Sequence, residues 1–334
     1  MIISWNTTKQ CHLKCRHCYR DAGDRHADEL TLTEGKGLIE GIAKAGFKIL
    51  ILSGGEPLLR PDIFELTAYA RDAGLKPVFG TTGTTITEDV ARRLKEAGAM
   101  CMGISLDSAT SKVHDTFRQV PGSFDAAIAG MQACQAQGLP FQVHTTVVEQ
   151  NYHEFEAITD LSVKLGARAH HVFFLVPTGR GKDIEEEALR EKQYEKLLHR
   201  ILKKQAQVDI EIKPTCAPQF MRIASQMGLD MRFTRGCLAG TAYCCILPHG
   251  EVHPCPYLPV KVGNVRETPF EQIWQEADVF KELRRDELGG KCGTCDQKSR
   301  CGGCRARAYH YTKDFMAEDP WCLYRRGARE DAAI

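Results

Sequence analysis

The stretch KILILSGGEPLLRPDIFELTAYARDAGLKPVFGTTG, residues 48–83, decides the fold. Its apolar run ILIL ends in a glycine turn, and such a run reads as a strand buried on both faces of a parallel sheet. PDIFELTAYARDAG then reads as a helix, with Pro61 near its start and Gly74 just past its end. A second strand, LKPVFGTTG, follows at once. Strand, helix and strand in close succession imply a right-handed crossover between parallel strands.

The unit recurs in both directions. Upstream lie the strand IISWNT and the helix TLTEGKGLIEGIAKAG, for which Thr33 is the expected N-cap and Gly46 the expected stop. Downstream, TEDVARRLKEAG, SFDAAIAGMQACQAQG and HEFEAITDLSVKLG read as helices between the strands MCMGISLD, PFQVHTTVV and AHHVFFLVPTGRG. The charged segment 184–206 is expected to be a helix with a solvated polar face. Six strand–helix units predict an α/β fold, a partial (β/α)6 barrel open where a full barrel would close with eight. Function in such folds sits at the C-terminal strand ends, where SGGEP, GTTG and SLDS fall. Beyond about 210, helices are expected to be rare, and Gly, Pro and Cys become dense. The expected division is a barrel over 1–206 and a small cysteine-rich domain over 207–334.

The chain has 334 residues, with 44 Lys and Arg against 43 Asp and Glu, for a net charge of +1. That balance offers no electrostatic case for a nucleic-acid or membrane partner. No apolar run approaches the ~20 residues of a membrane span. The opening MIISWNTTKQ lacks the regions of a signal peptide, so the cytoplasm is expected. There, 15 cysteines are better read as metal ligands or catalytic groups than as disulfides.

Three of them, Cys11, Cys15 and Cys18, lie in the loop CHLKCRHCY after the first strand. Three thiols leave one corner of a zinc ion or of a 4Fe–4S cluster without a nearby protein ligand. Cys-x3-Cys-x2-Cys is not a zinc-finger rhythm. With Tyr19 after it, the loop resembles the signature of the radical S-adenosylmethionine enzymes, whose fold is a partial six-unit barrel. The resemblance implies a 4Fe–4S cluster whose open iron chelates S-adenosylmethionine, reductive cleavage to a 5′-deoxyadenosyl radical, and Tyr19 beside the adenine. It also implies that the turn Gly54, Gly55 and Glu56 receives the methionine amino group. Ser105 and Asp107, in SLD, match the strand end that contacts ribose or carboxylate. Arg118 matches an arginine that pairs with the carboxylate. Relatives often carry Asn where this chain has Thr82.

The second half carries GCLAGTAYCCILPHGEVHPCPY, CGTCDQKSRCGGCRARA and a last Cys322. This resembles the SPASM extension of the same family, with two residues rather than three between its last paired cysteines. The resemblance implies two auxiliary 4Fe–4S clusters. Cys237, Cys255 and Cys304 are expected to hold the first, completed by Cys244 or Cys245. Cys292, Cys295, Cys301 and Cys322 are expected to hold the second. Cys101, Cys134 and Cys216 are expected to be core or loop cysteines.

No N-terminal stretch before the first strand can hold a peptide-recognition domain, which argues against most leader-dependent peptide maturases. The chain looks most like the haem d1 and alternative haem branch, which removes propionate or acetate side chains from sirohaem-derived tetrapyrroles. That implies a tetrapyrrole substrate and an electron donor such as flavodoxin or ferredoxin. Arg180, His170 and His171 are candidate contacts for its carboxylates. Two other readings stay open, a peptide or protein maturase and a non-enzymatic iron–sulfur or zinc protein.

Overall fold

The computed structural model describes residues 1–231 and 233–325; the last residues of the expected second domain, 326–334, lie outside them. Seven parallel strands form the barrel: β1 (Ile2–Thr8), β2 (Ile49–Gly54), β3 (Lys76–Thr81), β4 (Cys101–Ser105), β5 (Phe141–Val147), β6 (Ala169–Phe174) and β7 (Glu211–Thr215). They lie side by side in sequence order. Between them run α1 (Leu32–Lys44), α2 (Ile63–Asp72), α3 (Glu88–Ala97), α4 (Ser111–Arg118), α5 (Ser123–Ala136), α6 (Phe155–Lys164) and α7 (Glu191–Gln205).

Residues alternate along each strand between helix side and barrel interior. Ile3 and Trp5 of β1, Leu50 and Leu52 of β2, and Met102 and Ile104 of β4 join one buried core under the helices. Burying a side chain of this size stabilises the fold by about 1.5–3 kcal/mol. The helix α1 starts two residues earlier than expected. Thr31, not Thr33, is its cap, because Glu34 stands three residues on and completes a reciprocal capping box.

The barrel also runs past residue 206, since β7 pairs with β6. The second half returns to the other edge: β8 (Tyr243–Ile246) pairs parallel with β1, and β9 (Glu251–His253) and β10 (Gly263–Asn264) follow antiparallel. The result is one ten-stranded sheet. Helices are not rare in this half. It contains α8 (Phe220–Gln226), α9 (Phe270–Glu276), α10 (Asp278–Arg285), α11 (Gly290–Gly293), α12 (Lys298–Cys301) and α13 (Arg305–Thr312). Most are too short for periodicity to reveal them.

The charged segment also departs from expectation, because α7 begins only at Glu191. Its acidic lead-in is not a solvated face. Glu187 pairs with Arg16 of the front loop and Glu185 with His310 of α13. No helix among the described residues is long and apolar enough to cross a membrane.

Candidate functional site

The loop after β1 closes on itself through Cys11 N–H to the Gly23 carbonyl (2.8 Å) and Gly23 N–H to the Lys9 carbonyl (3.1 Å). Arg180 clasps it: Nε donates to the Cys15 carbonyl at 3.0 Å and Nη1 to the Ala22 carbonyl at 2.7 Å. Arg180 was expected to meet substrate carboxylates; the structure spends it on the loop instead. The three thiols emerge on one side, and each sulfur faces an N–H. Leu13 N–H points at Cys11 (3.5 Å), Ala22 N–H at Cys18 (3.4 Å) and Arg118 Nη1 at Cys15 (3.5 Å). Burial pushes the Cys11 thiol up to about 12. Such a thiol becomes a thiolate when a metal displaces its proton.

The turn after β2 lies against this loop. A Cβ on Gly55 would sit 2.2 Å from the Gln10 carbonyl oxygen, and Gly54 has φ of +130° with the Thr8 oxygen 2.4 Å from where its Cβ would be, so only glycine fits. Glu56 is fully buried. Its Oε1 accepts from Thr81 Oγ1 (2.7 Å) and Leu58 N–H (3.2 Å), and its Oε2 from Thr82 N–H (2.9 Å) and Thr82 Oγ1 (2.6 Å). The carboxylate therefore ties the tips of β2 and β3 together. Thr82 supplies half of the tie.

Arg118 reaches a carboxylate of the protein itself. Its Nε donates to Asp107 Oδ2 at 2.6 Å, in a pair whose side chains are 8% and 0% exposed. Burial raises the Asp107 carboxyl, but the Arg118 guanidinium, His17, His114 and the Thr146 N–H together hold the group below the usual range. Asp107 Oδ1 accepts from Thr146 N–H at 2.8 Å, so the pair links the tips of β4 and β5 to Cys15. Ser105, at the end of β4, donates to the Thr81 carbonyl at 3.2 Å. Tyr19 donates to Asn6 Oδ1 at 3.3 Å, and its ring lies 5.1 Å from that of Tyr257.

His170 is a core residue, fully buried between Thr145 Oγ1 and Thr159 Oγ1, each at 2.9 Å from a ring nitrogen. Burial brings it down to about 3, so it stays neutral and meets no substrate. Its neighbour His171 alternates to the barrel interior, where its ring stacks on His144 at 5.2 Å.

In the second half, alternation along β8 separates the two adjacent cysteines. Cys244 joins the core under the helices, while Cys245 faces inward and receives Arg20 Nη2 at 3.3 Å and Asn6 Nδ2 at 3.5 Å. Cys216, expected to be a core or loop cysteine, packs in a small cluster with Cys255 and Cys304. Burial raises its thiol strongly, and Cys304, Cys255 and Cys237 are the thiols that raise it further. It has φ of +60°, a strained region for a non-glycine residue. Sequence spacing gave no hint of this, since Cys216 lies 21 residues before Cys237 and outside the family pattern.

Cys292, Cys295, Cys301 and Cys322 line one cavity of about 220 Å3. N–H groups of Asp319 and Gln297 donate to Cys292 and Cys295, each at 3.4 Å. Among the described residues, no three His, Cys, Asp or Glu groups are arranged to hold a single metal ion. Thiols ringing a cavity, with N–H groups aimed at sulfur, suit a larger cluster of thiolate-bound iron.

Fold and site together define an iron–sulfur enzyme built on a partial barrel. The sequence model of the radical SAM superfamily matches residues 5–162, and that of the SPASM iron–sulfur cluster-binding domain matches residues 237–304. The chain is 44% identical over 343 residues to the AdoMet-dependent heme synthase of Methanosarcina barkeri, covering 98% of this chain and 97% of the relative. It is 40% identical to the protein of the same name from Nitratidesulfovibrio vulgaris, over 97% of this chain and 92% of the relative. The structure of Streptococcus suis SuiB bound to precursor peptide SuiA shares the fold with a TM-score of 0.79 at 17% identity, over 97% of this chain and 76% of that one.

The chain belongs to the radical SAM superfamily, with a SPASM domain in its second half. It is an enzyme whose cofactors are S-adenosylmethionine and 4Fe–4S clusters, auxiliary ones among them.

Proposed function

We propose that the enzyme forms haem from an iron porphyrin descended from sirohaem by oxidative decarboxylation of propionate side chains. The observation that carries this reading is the 44% identity with a heme synthase across nearly the whole of both chains. When bound, the front cluster supplies the electron that splits S-adenosylmethionine into methionine and a 5′-deoxyadenosyl radical, and the auxiliary clusters supply one-electron acceptors. Each converted propionate would lose one hydrogen atom, carbon dioxide and one electron, and would remain as a vinyl group.

The chain's own residues prepare that step. Cys11, Cys15 and Cys18 hold the front cluster. Gly54 and Gly55 admit the methionine end of the cofactor close to the backbone, with Glu56 fixing the shape of the turn. Tyr19 and Ser105 border the nucleoside, and the Asp107–Arg118 pair sets the charge beside Cys15. A reducing compartment suits 15 cysteines, so the cytoplasm is the proposed location, with a flavodoxin or ferredoxin as electron donor.

For the auxiliary clusters we propose Cys216, Cys237, Cys255 and Cys304 as one ligand set, and Cys292, Cys295, Cys301 and Cys322 as the other. The packing of Cys216 supports it over Cys244 and Cys245. Cys216→Ala should remove about four of about twelve iron atoms after anaerobic reconstitution, while Cys245→Ala keeps them all. The reverse pattern in iron analysis and electron paramagnetic resonance would reassign the ligand.

The test of the reaction is anaerobic incubation with iron coproporphyrin III, S-adenosylmethionine and dithionite. The pigment should lose carbon dioxide and two hydrogens for each converted side chain, seen by mass and absorbance. Good formation of 5′-deoxyadenosine with pigment of unchanged mass would turn the reading toward a peptide substrate.

A further inference from the structure

The barrel interior carries a row of side chains that starts at Ser105, beside the cofactor site, and continues through three residues to which neither the cofactor nor the core lays claim. Strand register sets Ser105, His144, His171 and Lys213 side by side across β4, β5, β6 and β7. All four face inward, because their sequence neighbours are buried on the helix side: Val143 and Ile212 are 0% and 2% exposed, and His170 packs against Phe155. Gly103 makes room for the row, since a Cβ there would lie 2.3 Å from His144 Cε1. Three strand spacings separate Ser105 from Lys213, roughly 14 Å along the sheet. That is the scale of a tetrapyrrole macrocycle.

The row is polarised. Its Ser105 end borders the Asp107–Arg118 pair and the front loop. In its middle, His144 is held down to about 4, first by burial and then by the Arg118 charge, so it is neutral. The Gln142 amide nitrogen lies 2.8 Å from its Nε2, which makes Nε2 the acceptor and puts the ring proton on Nδ1. Its ring also lies 5.1 Å from Phe173, giving the row an aromatic border. His171 stacks on His144 and has Glu211 at 4.0 Å. Lys213 stands at the far end as the cation of the row. Its Nζ lies 4.4 Å from the centre of the Phe233 ring. Burial lowers its pKa, and no acidic group among the described residues is a cause of the shift. A largely buried ammonium without a carboxylate is costly unless an anion arrives to meet it.

We propose that Lys213 anchors a carboxylate of the substrate, a propionate that the reaction leaves intact, and that His171 and His144 line the path from this anchor to the reacting edge near Ser105. The inference rests on the haem-forming reading above. With one propionate held at Lys213, the opposite edge of the macrocycle reaches the strand tips where the radical is made. Haem retains propionates while gaining vinyl groups, so an anchor for an unreacted propionate is what selects the side chains that are converted.

The test is an absorbance titration of the reconstituted enzyme with iron coproporphyrin III and, separately, with its tetramethyl ester, which has the same ring and no carboxylates. The native protein should bind the acid more tightly than the ester. Lys213→Met should weaken binding of the acid by about 30-fold, the loss expected when one partner of a desolvated charge pair is removed. Binding of the ester and the iron content should not change, and Lys213→Arg should restore most of the affinity for the acid. Lys213→Met binding the acid as the native protein does would overturn the anchor, as would equal loss of acid and ester. Native protein that binds neither pigment would instead overturn the haem-forming reading, and the anchor with it.

Discussion

Cys15→Ala abolishes formation of 5′-deoxyadenosine from S-adenosylmethionine and dithionite, whereas Cys101→Ala leaves it intact. Cys15 is the most enclosed of the three loop thiols, 7% exposed, with Arg118 Nη1 at 3.5 Å from its sulfur and Arg180 on its carbonyl. In the proposed site three thiolates hold the front cluster and its fourth corner is left to the cofactor, so losing one of the three leaves only two. The loss is therefore expected to be complete rather than graded, read as product by chromatography and as missing iron by analysis. Cys101 is the control because it opens β4, four residues from the tip at Ser105, roughly 13 Å from the chemistry along the strand. Burial pushes its thiol up to about 11, so it remains an inert protonated side chain. Cleavage persisting in Cys15→Ala would refute the assignment of the loop.

Arg307→Met destabilises the chain by about 3–5 kcal/mol, the cost of leaving a buried charge without its partner. Arg307 and Asp319 are both fully buried and paired through two nitrogens, Nε to Oδ1 at 2.8 Å and Nη2 to Oδ2 at 2.7 Å. Burial raises the Asp319 carboxyl, yet the guanidinium wins and holds it down to about 2. The same carboxylate accepts from Cys304 N–H (2.7 Å) and Gln219 Nε2 (2.7 Å), and the Asp319 N–H points at Cys292. Arg307 lies 4.4 Å from the Trp321 ring centre and 4.8 Å from that of Tyr194 on α7. One ion pair thus joins both proposed auxiliary ligand sets to the barrel. Arg307→Lys should recover little, because a point charge cannot make the two parallel bonds or stack as a plane. Anaerobic denaturant unfolding measures the difference; a shift below about 1 kcal/mol would mean that the surrounding donors suffice for Asp319.

Much of the barrel was legible because its signals are local. The apolar run at 49–52 and the glycines 54, 55 and 74 mark a strand, a turn and a helix end without reference to anything distant. The front loop was legible for the same reason, since its three thiols lie within eight residues. What stayed hidden depends on contacts across the fold. Cys216 meets Cys255 and Cys304 only when β7 and the second half come together. His144 and Lys213 become neighbours of His171 only through strand register. Arg180 and Arg118 look available in the sequence because an arginine's partners do not show there; in the fold they hold the Cys15 carbonyl and Asp107. His170 and His171 are adjacent in sequence, and alternation alone sends one to the core and the other to the barrel interior.

The pairing of β8 with β1 bears on how the chain reaches its folded state. Without β8, the amides and carbonyls of β1 would form a bare edge beside the cysteine loop. An exposed edge is a template for pairing with another chain. The second half covers that edge with its own backbone, from Ile2 against Tyr243 to Trp5 against Ile246. The barrel is therefore most prone to self-association in the interval after its helices have packed and before residues 243–246 arrive. The strand that carries Cys244 and Cys245 is thus also what keeps the first half from sticking to its copies.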